Sequence, residues 1–326
     1  MALTVAVTGP TGEIGIPAVT ALEREPMVGR IIGMARRPFE PASHGWTKTR
    51  YKRGDVLDRD AVDELVADAD VVIHLAFIIM GSREESARIN RPGTRNVFEA
   101  TVSAGRPQRL VYTSSVAAYG YHPDNPIPIT EEVPPRGSPE HYYSEQKAAS
   151  EVALAEITEG SSLEVFVLRP CIVAGPQATA LADAMPWNRL PGLVRAATRT
   201  IPVLKPPVPD PGIPLQLVHH DDVATAIALA ATTSAPPGAY NIAADGVVSV
   251  SDVAKALGGR PVRVPRQAAT AASAVMSRLP HVPSALEWLH TVRTSVLMDT
   301  SKAKSVLGWQ PTYTSAETLQ ALAAAV

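Results

Sequence analysis

The chain has 326 residues, with 30 Lys and Arg against 32 Asp and Glu, a formal net charge of −2 and one cysteine. That length buries a sizeable core and fits one large domain with a smaller appended lobe. The balanced, interspersed charge argues against nucleic acid or an anionic membrane as partner, and Cys171 alone can form neither an internal disulfide nor a thiolate metal cage.

Leu3-Thr4-Val5-Ala6-Val7 opens the chain as an apolar strand, without the basic segment and cleavage site of a secretory signal. No run reaches the roughly 18 apolar residues of a spanning helix; the run from Val71 to Met80 is broken by His74. A protein of the reducing cytoplasm is expected. Further apolar runs follow at residues 30–34, 71–75, 109–112 and 165–168, separated by helix-compatible stretches at 16–25, 60–67, 94–104 and 144–159. Continuous rather than alternating apolarity marks strands buried on both faces, so the fold class is α/β, a doubly wound parallel sheet.

Between the first strand and first helix lies Thr8-Gly9-Pro10-Thr11-Gly12-Glu13-Ile14-Gly15. Glycines three apart allow a tight turn, close backbone approach to a pyrophosphate and close helix packing, and the helix N-terminus offers N–H groups to phosphate. Glu13 suits the helix dipole but repels a diphosphate unless it points away. The second strand exits through Ala35-Arg36-Arg37, where an NAD site wants an acid for the ribose 2′-hydroxyl. Arginine matches a 2′-phosphate instead, so NADP(H) is favoured over NAD(H), with Arg36 and less firmly Arg37 as its readers. After the third strand, Gly54-Asp55-Val56 either presents Asp55 to the adenine amino group or is a plain turn.

Tyr143 and Lys147 are four residues apart in a helix-compatible stretch, which places their Cβ atoms about 5–6 Å apart on one face. A cation there lowers a phenol pKa that is otherwise about 10 and makes Tyr143 an acid–base group. Pro176, Pro186, Pro191, Pro202, Pro206, Pro207, Pro209, Pro211 and Pro214 crowd one later stretch, read as a loop-rich wall or lid rather than a regular core element. Residues 261–297 read as a second non-sheet insertion. These define the smaller lobe, about 176–214 and 246–326, beside a dinucleotide-binding domain of 1–175 and about 215–245. His219 and His220 are adjacent, so their side chains should diverge; no metal site is expected, and Asp221-Asp222 reads as a cap for the next helix.

The ordered set of residues 8–15, 54–56, 72–76, 90–97, 111–120, 143–147, 168–170, 218–223, 240–242, 301–303 and 307–311 resembles the extended short-chain dehydrogenase/reductase family, the NAD-dependent epimerase/dehydratase group, from residue 3 to about 313. The resemblance implies a Rossmann sheet with a C-terminal substrate lobe. It implies a catalytic set of Tyr143 as acid–base group, Ser115 (rather than Ser114) on the substrate oxygen, Lys147 on the nicotinamide ribose, and Asn90 supporting a water or backbone relay. The implied cofactor contacts are Gly9, Thr11, Gly12, Glu13, Ile14, Arg36, Asp55, Val56, Leu75, Ala76, Thr113, Tyr143, Lys147, Pro170 and Ile172.

The reaction class that follows is NAD(P)-dependent hydride transfer to or from a carbonyl or alcohol. Residues 177–214 are rich in Ala, Leu, Met, Trp and Pro, with Arg189, Arg195, Arg199 and Lys205 their only bases, and Phe77-Ile78-Ile79-Met80 adds apolar lining. A neutral, fairly hydrophobic small molecule is therefore the expected substrate, and a homodimer the expected assembly if there is one. A nucleotide-sugar epimerase or dehydratase with tightly held cofactor, and a non-catalytic dinucleotide sensor, are the alternatives.

Overall fold

The computed structural model describes residues 2–79, 82–185, 187, 204–265 and 294–326. Its strands are β1 (Leu3–Thr8), β2 (Val28–Ala35), β3 (Thr49–Arg53), β4 (Val71–His74), β5 (Arg109–Thr113), β6 (Glu164–Pro170), β7 (Ile172–Ala174), β8 (Pro207–Asp210), β9 (Pro214–Leu215), β10 (Leu217–His219), β11 (Gly238–Ile242), β12 (Val248–Ser249) and β13 (Arg260–Arg263). The helices are α1 (Gly15–Arg24), α2 (Arg59–Val66), α3 (Arg83–Ala104), α4 (Tyr142–Thr158), α5 (Ala180–Asp183), α6 (His220–Thr232), α7 (Val250–Ala256), α8 (Ser301–Ser305) and α9 (Ser315–Ala325).

Seven strands form one sheet in the order β11-β6-β5-β4-β1-β2-β3, and every adjacent pair is parallel. Alternate residues of the inner strands bury on opposite faces, which is why their sequences are apolar throughout. Val5, Val7, Val71 and Ile73 pack with α1 and α6, whereas Ala6, Val72, Leu110 and Tyr112 pack with α2, α3 and α4. A third apolar cluster gathers Trp187, Val208, Leu217, Val253 and Leu322. Strand order reverses between β1 and β4, so the connections leaving their carboxyl ends run to opposite faces and open a crevice there.

The phosphate-type turn has the expected glycine demands. Gly9 has φ +73°, a left-handed conformation disfavoured for other residues, and a Cβ at Gly15 would overlap the Gly9 carbonyl oxygen. Gly12 differs, because a Cβ there meets nothing closer than 3.6 Å.

Three sequence expectations are corrected. The helix expected at 94–104 begins at Arg83, capped by the Ser82 hydroxyl, which accepts from the Glu85 N–H at 3.0 Å, and it runs through Pro92. Pro92 and Arg88, whose carbonyl loses its helical N–H partner to the proline, are both exposed residues of this helix. Within the proline-rich stretch, Pro207–Asp210 is a regular strand, β8. It pairs in parallel with β13, which occupies the start of the segment read as non-sheet. Prolines 207, 209 and 261 remain compatible with a ladder only two strands wide, where their missing N–H groups can face outward. Met80, Pro186, Arg189, Pro191, Arg195, Arg199, Pro202 and residues 266–293 lie outside the described residues.

Gly15→Ala is expected to cost about 1–3 kcal/mol of stability through overpacking. Gly12→Ala should stay within about 0.5 kcal/mol of the parent in thermal unfolding, because its Cβ makes only an ordinary van der Waals contact, at 3.6 Å. Equal melting shifts for the two variants would contradict this account of the turn.

Candidate active site

A crevice of about 270 Å³ lies along the carboxyl ends of β1, β2 and β4. Of the expected cofactor contacts, Gly9, Thr11, Gly12, Arg36, Asp55, Val56, Leu75 and Ala76 line it, joined by Arg37, Phe77 and Asn90. Glu13, Ile14, Thr113, Tyr143, Lys147, Pro170 and Ile172 do not. The Glu13 carboxylate does not line the crevice, and burial together with nearby Asp183 raises its pKa against the lowering effect of the Thr179 and Ala180 backbone. Ile14 packs against the core on one sheet face, and Pro170 and Ile172 close β6 and open β7. A larger opening of about 480 Å³ on the outer faces of α3 and α4 contains none of the expected site residues.

Ser115 follows β5 and Tyr143 sits in the first turn of α4, where the Ser115 hydroxyl acts to lower the phenol pKa. The Ser115 hydroxyl also accepts the Ala117 N–H at 3.1 Å. Its neighbour Ser114 is committed elsewhere, donating to Glu151 at 2.5 Å. Ser115 is thus the hydroxyl that meets the phenol.

The expected effect of Lys147 on Tyr143 is not what the structure has. Burial pushes the Tyr143 phenol up to about 12, against the lowering effect of the Ser115 side chain. Lys147 lies on the same helix face, but its ammonium turns to β5, donating to the Thr113 carbonyl at 2.8 Å and sitting 3.8 Å from the centre of the Phe77 ring. Burial lowers the Lys147 pKa to about 7, opposed by Glu151 one turn along α4.

Asn90 is fully engaged. Its amide oxygen accepts the Ile78 N–H at 2.8 Å, and its amide nitrogen donates to the Ile78 carbonyl at 2.9 Å and to Gln146 at 2.8 Å. No donor is left for a relay. Asn90 instead fixes the segment after β4 that carries Phe77, whose ring meets Tyr143 edge-on at 5.8 Å. His74, at the end of β4, bridges Thr8 at 2.7 Å and Thr94 at 3.0 Å, and burial lowers its pKa to about 3.

Sequence reasoning missed the hub behind these groups. Glu151 and Arg169 form a buried ion pair at 2.6 Å, and the Arg169 guanidinium stacks 4.5 Å from the centre of the Tyr119 ring. The legible signal was Glu151 four residues after Lys147, on the same inward face of α4.

His219 and His220 do not diverge. Their ring centroids are 4.2 Å apart because the chain passes there from β10 directly into α6, and one ligand-type atom each from His219, His220 and Asp221 lies within 4.8 Å of the others. Those atoms have local tasks. The His219 Nδ1 accepts the Asp221 N–H at 3.2 Å and so caps α6, the role expected of the aspartates, while His220 pairs with Asp221 at 3.0 Å. Asp222 accepts the N–H groups of Thr312 at 2.8 Å and Tyr313 at 3.1 Å.

A model of the NAD dependent epimerase/dehydratase family matches residues 5–243. The chain belongs to that family. UDP-glucose 4-epimerase from Thermotoga maritima, solved with UDP-glucose, superposes with a TM-score of 0.71 at 21% identity, covering 99% of this chain and 98% of that one. The Bordetella bronchiseptica enzyme WbmH, solved with NAD+, gives 0.71 at 19% identity, covering 100% and 98%. These family structures share the Rossmann-like fold. In sequence, a 3-diazoavenalumate denitrifying reductase from a Streptomyces species is 27% identical over 95% of this chain and 97% of its own length. The described residues fit the family's dinucleotide, since the turn has no Cβ at Gly9 or Gly15, Glu13 is not among the residues lining the crevice, and neither crevice arginine has an acidic partner among the described ion pairs. Among the described residues no helix is long and apolar enough to cross a membrane.

The Lys147 pKa has a thermodynamic consequence. Between about pH 7 and the ordinary lysine value near 10.4, the unfolded chain binds a proton that the folded chain lacks, so this group's contribution to stability falls as pH drops through that window and levels off below about 7. Lys147→Met abolishes the titration. The melting temperature of the variant minus that of the parent should therefore rise as pH falls from 10 to 7 and then flatten; a constant difference would show that Lys147 stays fully charged in the folded protein.

Proposed function

We propose that this protein is an NAD(P)-dependent oxidoreductase, preferring NADP(H), that interconverts a carbonyl and an alcohol on a neutral, fairly hydrophobic small molecule. The gathering of Tyr143, Ser115 and Lys147, with Phe77 linking the phenol to a crevice suited to a dinucleotide, carries the reading. The bound cofactor would supply or accept the hydride. In reduction, Tyr143 passes its proton to the oxygen where negative charge grows and Ser115 donates a hydrogen bond to that oxygen, while in oxidation Tyr143 receives the proton. Lys147, now on the Thr113 carbonyl, would hold the nicotinamide ribose. Gly9, Thr11 and Gly12 would cradle the pyrophosphate, and Asp55 would bind the adenine.

An apolar substrate is supported by the Phe77 ring, which lines the crevice and packs nearly perpendicular to Tyr143 at 5.8 Å. One relative, similar over 95% of this chain and 97% of its own length, is named as a reductase. The substrate lobe would be residues 176–214 and 246–326, as the composition suggests. The family's own name sustains a second reading, a nucleotide-sugar epimerase or dehydratase with retained cofactor. Stoichiometric cofactor after purification together with binding of a uridine or thymidine diphosphate sugar would favour it over the first.

Tyr143→Phe should reduce kcat at least about 10²-fold on any active ketone, steroid or alcohol while leaving cofactor affinity intact. Turnover is followed as the 340 nm absorbance of the reduced nicotinamide. With the phenol at about 12, Tyr143 is protonated from pH 6 to 9, so reduction should be nearly independent of its ionisation there, whereas oxidation should accelerate with rising pH. Near-normal turnover by the variant would refute the assignment.

A further inference from the structure

Arg36 and Arg37 stand on the turn leaving β2, and that turn is held almost entirely from β3. The single Tyr51 O–H proton is shared between the Ala35 carbonyl, at 2.8 Å, and the Arg37 carbonyl. Arg53 Nε donates to the carbonyl between them, that of Arg36, at 3.0 Å. Three consecutive carbonyls are thus fixed by two side chains of the neighbouring strand, where Arg53 is the register partner of Ala35.

The continuation of the turn is anchored as well. The Phe39 ring lies 5.6 Å from Tyr51 and 5.3 Å from Trp46, and the Trp46 indole donates to the Thr20 hydroxyl of α1 at 3.1 Å. Arg36 and Arg37 line the crevice and are exposed, and among the described ion pairs neither they nor Arg53 has an acidic partner. Asp55, the carboxylate lining the same crevice, accepts the Leu57 N–H at 3.0 Å. The result is a rigid turn carrying uncompensated guanidinium groups. Such a turn suits a phosphomonoester dianion, because the ordering entropy of the arginine backbone is settled before the ligand arrives.

We propose that Tyr51 and Arg53 are positioning residues of a phosphomonoester subsite at the adenosine end of the crevice, setting the discrimination between a ribose 2′-phosphate and a 2′-hydroxyl through the backbone of residues 35–37. Arg53 adds a third positive charge beside that turn. This rests on the NADP(H) preference stated above.

The test needs no substrate. Adenosine 2′,5′-bisphosphate and adenosine 5′-monophosphate are titrated calorimetrically into the full chain, Tyr51→Phe, Arg53→Gln and Arg36→Ala, with melting temperatures in parallel. The parent should bind the bisphosphate at least about tenfold tighter. Tyr51→Phe and Arg53→Gln should each lose about five- to tenfold in bisphosphate affinity while monophosphate affinity stays within about twofold. If the parent binds both nucleotides equally, the NADP(H) preference itself fails. If Arg36→Ala abolishes the preference but Tyr51→Phe and Arg53→Gln retain it, the preference stands and the positioning role is overturned. Parallel losses for both nucleotides, with lowered melting temperature, would likewise overturn it by showing a general structural role.

Discussion

A carboxylate with 6% of its side chain exposed cannot keep its charge without compensation, and Glu151 obtains that from Arg169 and Ser114 at once. The three residues come from α4 and from the ends of β5 and β6, so the ion pair ties together the elements that carry Tyr143 and Lys147, Ser115, and Pro170. It occupies one of two adjacent serine hydroxyls and leaves the other for the phenol. It also places negative charge one helical turn from Lys147, which opposes the neutralisation that burial favours there. Removing one partner would strand a buried charge, a larger loss than any exposed ion pair on this surface represents.

Much of this was legible in the residues. Uninterrupted apolar runs imply strands covered on both faces, and the two-faced burial of β1, β4 and β5 is their direct outcome. Glycines at 9 and 15 are demanded by a left-handed φ and by a backbone contact with no room for Cβ, both local effects that spacing can reveal. Helix α3 was under-read because a proline lowers the local expectation of helix, whereas the Ser82 cap and the packing of Val97 and Phe98 against the sheet, which favour it, are settled elsewhere in the chain. Strand β8 was missed for a related reason, since proline is excluded from ladders only where its missing N–H is needed.

The site was legible as a set of residues but not as a geometry. Four-residue spacing put Tyr143 and Lys147 on one face of α4, yet which group the ammonium would reach depended on the Thr113 carbonyl and the Phe77 ring, both distant in sequence. The same holds for Asn90, whose commitment to Ile78 comes from the path of the chain after β4. Adjacent histidines were expected to part as they would along a strand. The passage from β10 straight into the first turn of α6 brings their rings together instead.

The outer strands of the sheet are unlike its interior. Strand β3 reads Thr-Arg-Tyr-Lys-Arg, with Arg50 and Arg53 exposed and Lys52 paired to Glu64. At the opposite margin, Lys302 of α8 donates to the Ala239 carbonyl of β11 at 2.8 Å and lies 4.6 Å from the centre of the Tyr240 ring. Unpaired strand edges invite pairing with another chain, the first step of aggregation, and cationic side chains placed along them raise the electrostatic cost of bringing two such edges together. At β3, Arg53, which holds the turn carrying the crevice arginines, therefore also joins Arg50 in discouraging one copy of the protein from extending the sheet of the next.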